Sequence, residues 1–254
     1  MDEIEIPLDI ISNGDLIDEV FGNCLHNRQY ENMKDRAILA PLNKDVAKIN
    51  AEIIEKLDGD SKQYKSYDSV KDPAEDTLQF TPEFLNSIEI ADLPPHELKL
   101  KKNTIIMLLR NLDLAEGLCN GVRLTVTQLC NNIIKGKIIT GEQAGQEVHI
   151  PRITLESNKS QLGCSMQRHQ FPVKPAFAMT IHKSQGQTFE YVGVDLKNPV
   201  FMHGMLYVVL SRVKRRNSLK ILLPIENNGQ MKGYTRNVVW TEVLNNTHNN
   251  NLNL

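Results

Sequence analysis

The chain has 254 residues, of which 41% are hydrophobic and 24% are charged, a composition typical of one large or two small globular domains. Its net charge of −2 excludes a global electrostatic attraction to nucleic acid, so any such binding must use a local basic surface. The cysteines form no Cys-x-x-Cys pair, which argues against a metal site, and the apolar runs are too short to span a membrane.

The first part of the chain predicts a helix followed by one strand–helix unit. Residues 15–30 have the apolar spacing of an amphipathic helix, and we interpret Asp18 and Glu19 as part of its solvated face. Residues 36–40 predict a short strand that a proline ends, and residues 44–57 predict an amphipathic helix.

The middle of the chain predicts a change from α/β to β structure. Residues 59–75 are polar and predict an exposed loop, and residues 77–95 predict a short helix and a turn. Four short β-type runs separated by glycines follow, and they predict a small β-barrel inserted between α/β units. These runs are residues 104–110, 122–129, 133–140 and 146–150.

The last part of the chain returns to an α/β pattern. Residues 176–181, 192–196 and 219–223 predict buried parallel strands, and residues 204–213 predict a helix. The predicted fold class is therefore α/β, with a parallel sheet flanked by helices and an inserted small β-barrel. The predicted divisions are 1–97 for the first part of the α/β domain, 98–170 for the barrel, 171–244 for the remainder and 245–254 for a disordered tail.

The strand-to-turn segment at residues 178–188 carries the densest set of polar donors. Thr180, His182, Lys183 and Ser184 suit contacts with the sugar–phosphate backbone of a nucleic acid, although each alone is more often a solvated turn residue. Next come Gln185 and Gly186. Glycine allows a close backbone approach and turn amides can bind phosphate, with an ordinary strand-to-helix turn as the alternative.

Two further residues each have two interpretations. Arg212 follows the last predicted helix, and its guanidinium can bind phosphate oxygens or be a surface charge beside other basic residues. Asn43 is either a nucleic-acid contact or the N-cap of the helix that follows. Two interpretations also stay open for Arg110, Asn111, Asn120 and Arg123: they are either turn residues and edge charges of the barrel, or contacts with a DNA strand.

Three stretches resemble one family in their order and spacing. They are Ile-Leu-Ala-Pro-Leu-Asn-Lys at 38–44, the region from Leu-Pro-Pro-His-Glu-Leu at 93–98 through Asn-Gly-Val-Arg at 120–123, and Met-Thr-Ile-His-Lys-Ser-Gln-Gly-Gln-Thr at 179–188 with Leu-Ser-Arg at 210–212. This set resembles the second RecA-like motor domain, with its inserted barrel, of Pif/RecD-like helicases. That family is the 5′-to-3′ branch of superfamily one, including eukaryotic and Helitron-type members. Leu42 replaces the threonine that the family usually has before Asn43.

The resemblance implies an ATP-dependent DNA helicase that acts in DNA repair, recombination, or telomere and replication maintenance. It implies that Arg212 is a catalytic finger for the γ-phosphate, and that Gln185 and Gly186 lie beside the nucleotide. It also implies that Asn43 and residues 180–184 contact single-stranded DNA.

The chain contains no Gly-x-x-x-x-Gly-Lys-Ser/Thr phosphate loop. ATP and Mg²⁺ are therefore expected only together with a first motor domain, supplied by another chain or by a longer gene product. The alternative is a non-catalytic single-stranded-DNA-binding module or a transposon-derived fragment. The resemblance implies nuclear residence, with the mitochondrion as the alternative, and no membrane partner.

Overall fold

Strand pairing divides the protein into two units in the computed structural model, which describes residues 2–71, 80–90, 92–157, 165–225 and 233–240. The first unit comprises Met1–Ile49 and Ala178–Leu254, and the second comprises Asn50–Phe177. The helices are α1 (residues 16–26), α2 (Asn43–Lys56), α3 (Pro82–Ser87) and α4 (Met205–Leu210). The strands are β1 (Asp2–Glu5), β2 (Arg36–Ala40), β3 (Lys62–Lys65), β4 (Tyr67–Lys71), β5 (Glu97–Leu100), β6 (Ile105–Leu108), β7 (Arg123–Leu129), β8 (Ile133–Ile138), β9 (Glu147–Pro151), β10 (Ile153–Glu156), β11 (Ser165–Gln170), β12 (Val173–Pro175), β13 (Ala178–Thr180), β14 (Tyr191–Asp195), β15 (Leu219–Leu222) and β16 (Tyr234–Asn237).

The first unit is built on a four-stranded parallel sheet with the strand order β13-β2-β14-β15. Ala178 of β13 lies opposite Ile38 of β2, and Val194 of β14 lies opposite Leu39 on the other side of β2. Both β2 side chains are fully buried, as expected for a central parallel strand covered on two faces. The predicted parallel α/β sheet is confirmed, since the apolar runs that predicted these strands form them.

Helix α1 packs against β14 at a position that has no side chain. A Cβ placed on Gly193 would lie 2.8 Å from Val20 Cγ2 and 2.9 Å from Leu16 Cγ. These distances are shorter than a van der Waals contact, so a glycine is needed for the helix to reach the strand. The helix predicted at residues 15–30 therefore exists, but it ends at residue 26 and contains one π-helical turn, Asp18–Gly22.

The acidic pair at the start of α1 is split between two environments. Asp18 is exposed, whereas Glu19 is partly buried and its Oε1 accepts hydrogen bonds from the Asn13 amide at 2.7 Å and the Ser12 hydroxyl at 2.8 Å. The interpretation of both carboxylates as a solvated face is therefore wrong for Glu19. Its side chain fixes the segment that leads into α1.

The second unit contains a five-stranded antiparallel sheet with the order β12-β6-β7-β8-β9. Strands β6 to β9 confirm the four short β-type runs of the sequence. Two smaller antiparallel sheets, β3-β5 and β10-β11-β4, complete the unit. The strand pairing of the described residues closes no barrel, so the predicted barrel is observed as an open sheet beside two smaller ones.

The predicted loop at residues 59–75 is wrong, because residues 62–71 form β3 and β4. These strands pair with β5 and β11, which come much later in the chain. Residues 50–97 therefore group with the antiparallel sheets, whereas the sequence analysis grouped them with the α/β part. Strands β1 and β16, which pair with each other, were not predicted, and the predicted tail at 245–254 lies outside the described residues.

A buried ion pair joins three segments of the second unit. Arg168 on β11 and Asp68 on β4 are 1% and 0% exposed, and the guanidinium Nε and Nη2 donate to the two carboxylate oxygens at 2.9 and 2.8 Å. The same guanidinium donates to the carbonyls of Leu85, Ile88 and Pro94 at 3.0 to 3.3 Å. Each of the three guanidinium nitrogens therefore has at least one acceptor, which offsets the desolvation of the charge.

Tyr64 of β3 provides a second buried polar contact. Its hydroxyl donates to the Cys130 carbonyl at 2.6 Å, and its ring meets Phe171 edge-on with the centroids 4.9 Å apart. Burial raises the pKa of the Tyr64 hydroxyl to about 12.

We expect the Tyr64 hydroxyl to make the stability of the second unit depend on alkaline pH. Because its pKa is raised on folding, the neutral phenol stabilises the fold fully below the ordinary tyrosine pKa, and this contribution is lost as the pH rises through about 12. Urea denaturation at pH 9 to 12 measures the effect. The wild-type protein should lose more stability over this range than Tyr64→Phe, and equal pH slopes would contradict the assignment.

Candidate functional site at the carboxyl edge of the parallel sheet

The predicted nucleic-acid residues meet at one edge of the parallel sheet. Strands β13 and β2 are neighbours, and Thr180 lies opposite Ala40 at their last paired position. The chain leaves β13 into a 3-10 turn, Ile181–Ser184, and leaves β2 towards Asn43 at the start of α2. Ligands of open α/β sheets bind outside these carboxyl ends, so the fold brings the two motifs together where a ligand can reach them.

Asn43 does not act as the N-cap of α2. It is the first helical residue, and the Val46 amide donates to the Leu42 carbonyl, which places the cap position at Leu42. The Asn43 side chain is exposed and makes no hydrogen bond to any described residue. The N-cap interpretation is therefore wrong, and the contact with a nucleic acid stays a prediction.

The residues after β13 divide into exposed donors and one buried hydroxyl. His182 is exposed, Thr180 and Lys183 are half-buried, and Lys183 has no ion-pair partner in the part of the chain that the structure describes. Ser184 is 0% exposed, and its hydroxyl donates to the Ile181 carbonyl at 2.7 Å. The Ser184 side chain therefore closes the turn, which differs from the predicted strand contact.

The Gln185-Gly186 turn matches the predicted phosphate-approach geometry in its backbone. Gly186 has φ = +77°, a left-handed conformation that favours glycine, and open space surrounds its Cα. Its amide donates to no described residue, and both turn residues are exposed. An exposed, unpaired turn amide is a donor that an anionic oxygen can use.

Arg212 is bonded to this same turn. Its Nη1 donates to the Gln187 carbonyl at 3.0 Å and to the Ser184 carbonyl at 3.4 Å, while Nε donates to Val208 on α4 at 3.0 Å. Nη2 donates to the Ser211 hydroxyl at 3.0 Å, which leaves one of the five guanidinium N–H groups without an acceptor among the described residues. The structure therefore places Arg212 at the turn that contains Gln185 and Gly186, and their role beside a nucleotide stays a prediction.

Several residues at this edge were not singled out from the sequence. Lys44, next to Asn43, is exposed and has no ion-pair partner among the described residues. Asn198, after β14, donates to Asp45 on α2 at 2.8 Å. Gln187, between the turn and Phe189, is bonded to both Lys183 and Arg212. The sequence alone could have indicated Lys44, because it directly follows Asn43 and adds positive charge there. The contacts of Gln187 could not be predicted in this way, because they depend on the folded turn.

The basic residues at the opposite end of the sheet are mostly paired. Lys214 forms an ion pair with Glu190, which holds the pKa of that carboxyl below its usual value. Arg216 donates to both Asp9 oxygens, at 3.0 and 2.7 Å. Lys44 and Lys183, by contrast, lie at the carboxyl edge and have no ion-pair partner among the described residues.

The candidate contacts of the second unit have different surroundings. Arg123 is 0% exposed, and its Nη2 donates to the Ala176 carbonyl at 3.2 Å. Because its side chain is buried, both interpretations, as an edge charge and as a contact with a DNA strand, are wrong for Arg123. Asn111 accepts a hydrogen bond from the Asn120 amide at 2.7 Å, which makes both part of a turn. Arg110 is half-buried and donates to the Leu109 carbonyl at 3.4 Å.

The residues present fit one side of a nucleotide site better than a whole one. The free Gly186 amide and the remaining Arg212 donor suit a phosphate oxygen. The described residues contain no group of three or more His, Cys, Asp or Glu side chains that could hold a metal ion. No helix within the described ranges is long and apolar enough to cross a membrane.

Solved structures share this fold. The Pif1 helicase from Candida albicans matches 93% of this chain with a TM-score of 0.61 and 23% identity, over 57% of its own length. The Bacteroides Pif1 helicase in complex with ADP-AlF3 and single-stranded DNA matches 95% of this chain with a TM-score of 0.60 and 21% identity, over 55% of its own length. At these identities the likeness shows the fold alone, which this chain shares with part of each Pif1 helicase.

Sequence comparison identifies the family. Residues 83–129 match the model of the DNA helicase Pif1 2B domain. Human "ATP-dependent DNA helicase PIF1" is 30% identical over 181 residues, which is 70% of this chain and 26% of the relative. The chain belongs to the Pif1-like DNA helicases and corresponds to a C-terminal part of such an enzyme. It spans about a quarter of the length of this curated relative.

Proposed function

We propose that this chain is the part of a Pif1-like ATP-dependent DNA helicase that grips single-stranded DNA and presents Arg212 to the nucleotide. The observation that carries the proposal is the shared turn. Residues 180–183 lie beside Asn43 at the carboxyl edge, and Arg212 is bonded to the carbonyls that follow them. One short segment thus joins the residues suited to a DNA backbone with the residue suited to a phosphate.

The nucleotide chemistry divides between this chain and a first motor domain. ATP supplies the phosphoanhydride bond that is hydrolysed, and its phosphates and Mg²⁺ need a phosphate loop that this sequence lacks. We propose that another chain or a longer gene product supplies that domain. In this arrangement Arg212 would donate to the negative charge that develops on the phosphate oxygens during hydrolysis. The exposed Gly186 amide would be a second donor to the same phosphate.

The proposed contacts with DNA use donors that bind the sugar–phosphate backbone and therefore do not distinguish base sequences. Lys183 and Lys44 supply positive charge, and Asn43, Thr180 and His182 supply hydrogen bonds to the sugar–phosphate backbone. A DNA substrate leads us to propose nuclear residence, with repair or recombination as the process served.

We expect the purified chain to bind labelled oligo-dT, with an affinity that falls as the KCl concentration rises. Lys183→Ala should weaken binding and reduce the slope of log K against log [salt] by about 0.7, the loss of one phosphate contact with a single strand. Fluorescence anisotropy over a salt series measures both quantities.

Lys214→Ala is the matched control, because it removes the same charge from a lysine already paired with Glu190 at the other end of the sheet. It should leave the slope unchanged. Equal effects of the two variants, or no binding by the wild-type chain, would refute the assigned DNA surface.

The second candidate function is a single-strand-binding module without catalysis. It is favoured by the bonding of Arg212, since four of its five guanidinium N–H groups already donate to acceptors in this chain. Sequencing the native transcript distinguishes the two. An upstream in-frame phosphate loop supports the helicase. A transcript that encodes no such loop excludes the longer gene product, and it supports the binding module if no second chain that carries the loop co-purifies with the native protein.

A further inference from the structure

Gln187 is bonded to the turn through both its backbone and its side chain. Its amide nitrogen donates to the Ser184 carbonyl at 3.0 Å, and its side-chain Nε2 donates to the Lys183 carbonyl at 3.1 Å. Its own carbonyl accepts from Arg212 Nη1 at 3.0 Å. The residue thus lies between the backbone of Lys183 and the guanidinium of Arg212.

The side-chain amide of Gln187 also has a feature that is unfavourable for stability. Its Oε1 is buried and has no hydrogen-bond partner among the described residues. A buried acceptor without a donor is destabilising, by about 1–3 kcal/mol. The opposite amide orientation would point Oε1 at the Lys183 carbonyl, so the contact with Lys183 fixes the orientation.

The other side chains of the turn do little to hold these carbonyls in place. Gly186 has a left-handed backbone and an exposed amide, and the Gln185 side chain is exposed without a hydrogen bond to any described residue. The Ser184 hydroxyl bonds backwards to Ile181, away from Arg212. Two backbone bonds, from the Gln187 amide to the Ser184 carbonyl at 3.0 Å and from the Phe189 amide to the Arg212 carbonyl at 2.9 Å, hold the chain on either side of the Gln187 carbonyl. The bond from the Gln187 side chain to Lys183 is the side-chain contact that adds to them.

We propose that Gln187 is a positioning residue, which aims the Arg212 guanidinium through the turn and links it to the backbone of Lys183. Its importance for ATP hydrolysis rests on the proposed function, whereas its effect on the guanidinium does not. A change in the Lys183 backbone on binding of a DNA strand would pass to Arg212 through the Gln187 side chain, in addition to the direct contact with the Ser184 carbonyl. By linkage, a phosphate bound at Arg212 would also affect the grip at Lys183.

The test is the hydrogen exchange of the Arg212 Nη1–H groups, which donate to the Ser184 and Gln187 carbonyls, followed by NMR in the free chain and assigned by their loss in Arg212→Lys. Gln187→Met keeps the size of the side chain and removes both the Nε2 donor and the unpaired oxygen. We expect the Arg212 Nη1–H groups to exchange about fivefold faster in this variant, because the turn that carries their acceptors loses one hydrogen bond. Thr188→Val, which alters an exposed neighbour without a side-chain hydrogen bond to the described residues, should leave the exchange unchanged.

The amide of Ile38, at the centre of the sheet, serves as an internal reference. A change restricted to Arg212 supports positioning, whereas equal acceleration at Ile38, or no acceleration at Arg212, overturns the proposal. If Gln187→Met does not fold, Gln187→Asn tests the same contact, because the shorter side chain cannot reach Lys183. Failure of the chain to bind oligo-dT would overturn the proposed function and leave this result intact.

Discussion

Arg168→Met is expected to destabilise the second unit by about 3–5 kcal/mol. The substitution removes the guanidinium from the buried Asp68 carboxylate, whose other polar contacts among the described residues are the Ser66 hydroxyl at 2.7 Å and His96 Nδ1 at 3.8 Å. It also removes the donor from the carbonyls of Leu85, Ile88 and Pro94. Urea denaturation, with hydrogen exchange of the β4 and β11 amides as the local reporter, measures the loss.

Arg216→Met provides a closely matched control for that experiment. Arg216 also donates through Nε and Nη2 to both oxygens of an aspartate, Asp9, but the two side chains are 64% and 59% exposed. Exposed pairs contribute about 0–1 kcal/mol, so this variant should be nearly neutral. Similar losses in the two variants would mean that burial does not set the strength of the Arg168 pair.

Gly193→Ala is expected to destabilise the first unit by about 1–3 kcal/mol, the usual effect of overpacking a core. The new methyl group would lie 2.8 Å from Val20 Cγ2 and 2.9 Å from Leu16 Cγ, so α1 must move away from β14. The measurement is the urea midpoint, with hydrogen exchange of the α1 amides as the local reporter.

Two further variants make this prediction specific. Gly233→Ala adds the same methyl group where no atom of the described residues lies within 4 Å, and it should be close to neutral. Adding Val20→Ala to Gly193→Ala removes the nearest clashing atom and should make the double variant more stable than the sum of the two single losses. Strict additivity would show that α1 does not rest on Gly193.

The parallel sheet was predictable because its strands are locally apolar. Strand β2 and helix α2 follow each other with clear periodicity, and β14 and β15 are continuous apolar runs. Such patterns arise from burial on both faces and need no knowledge of distant partners.

Strands β3 and β4 were not predictable for the opposite reason. Their sequence is polar, with Tyr64 as the single fully buried side chain of β3, and their partners lie far along the chain. Arg168 and Arg123 show the same limit, since a charged residue is usually exposed and only the folded contacts show that it is buried.

The candidate site was predictable in its membership but not in its bonding. Glycine at a polar turn after an apolar strand indicated the Gly186 position, and the Leu-Ser-Arg sequence indicated Arg212 through the family resemblance. The burial of Ser184 and the contacts of Gln187 depend on how the 3-10 turn closes, which residue types alone do not determine.

The order of strands in the parallel sheet has a consequence for biosynthesis. Its central strand, β2, is made before the whole second unit, while both of its neighbours, β13 and β14, are made after it. At ordinary translation speeds β2 waits on the order of ten seconds for a partner. The second unit has a hydrophobic cluster of its own and can fold during that interval, so the nascent chain exposes an unpaired apolar strand that a ribosome-associated chaperone could shield.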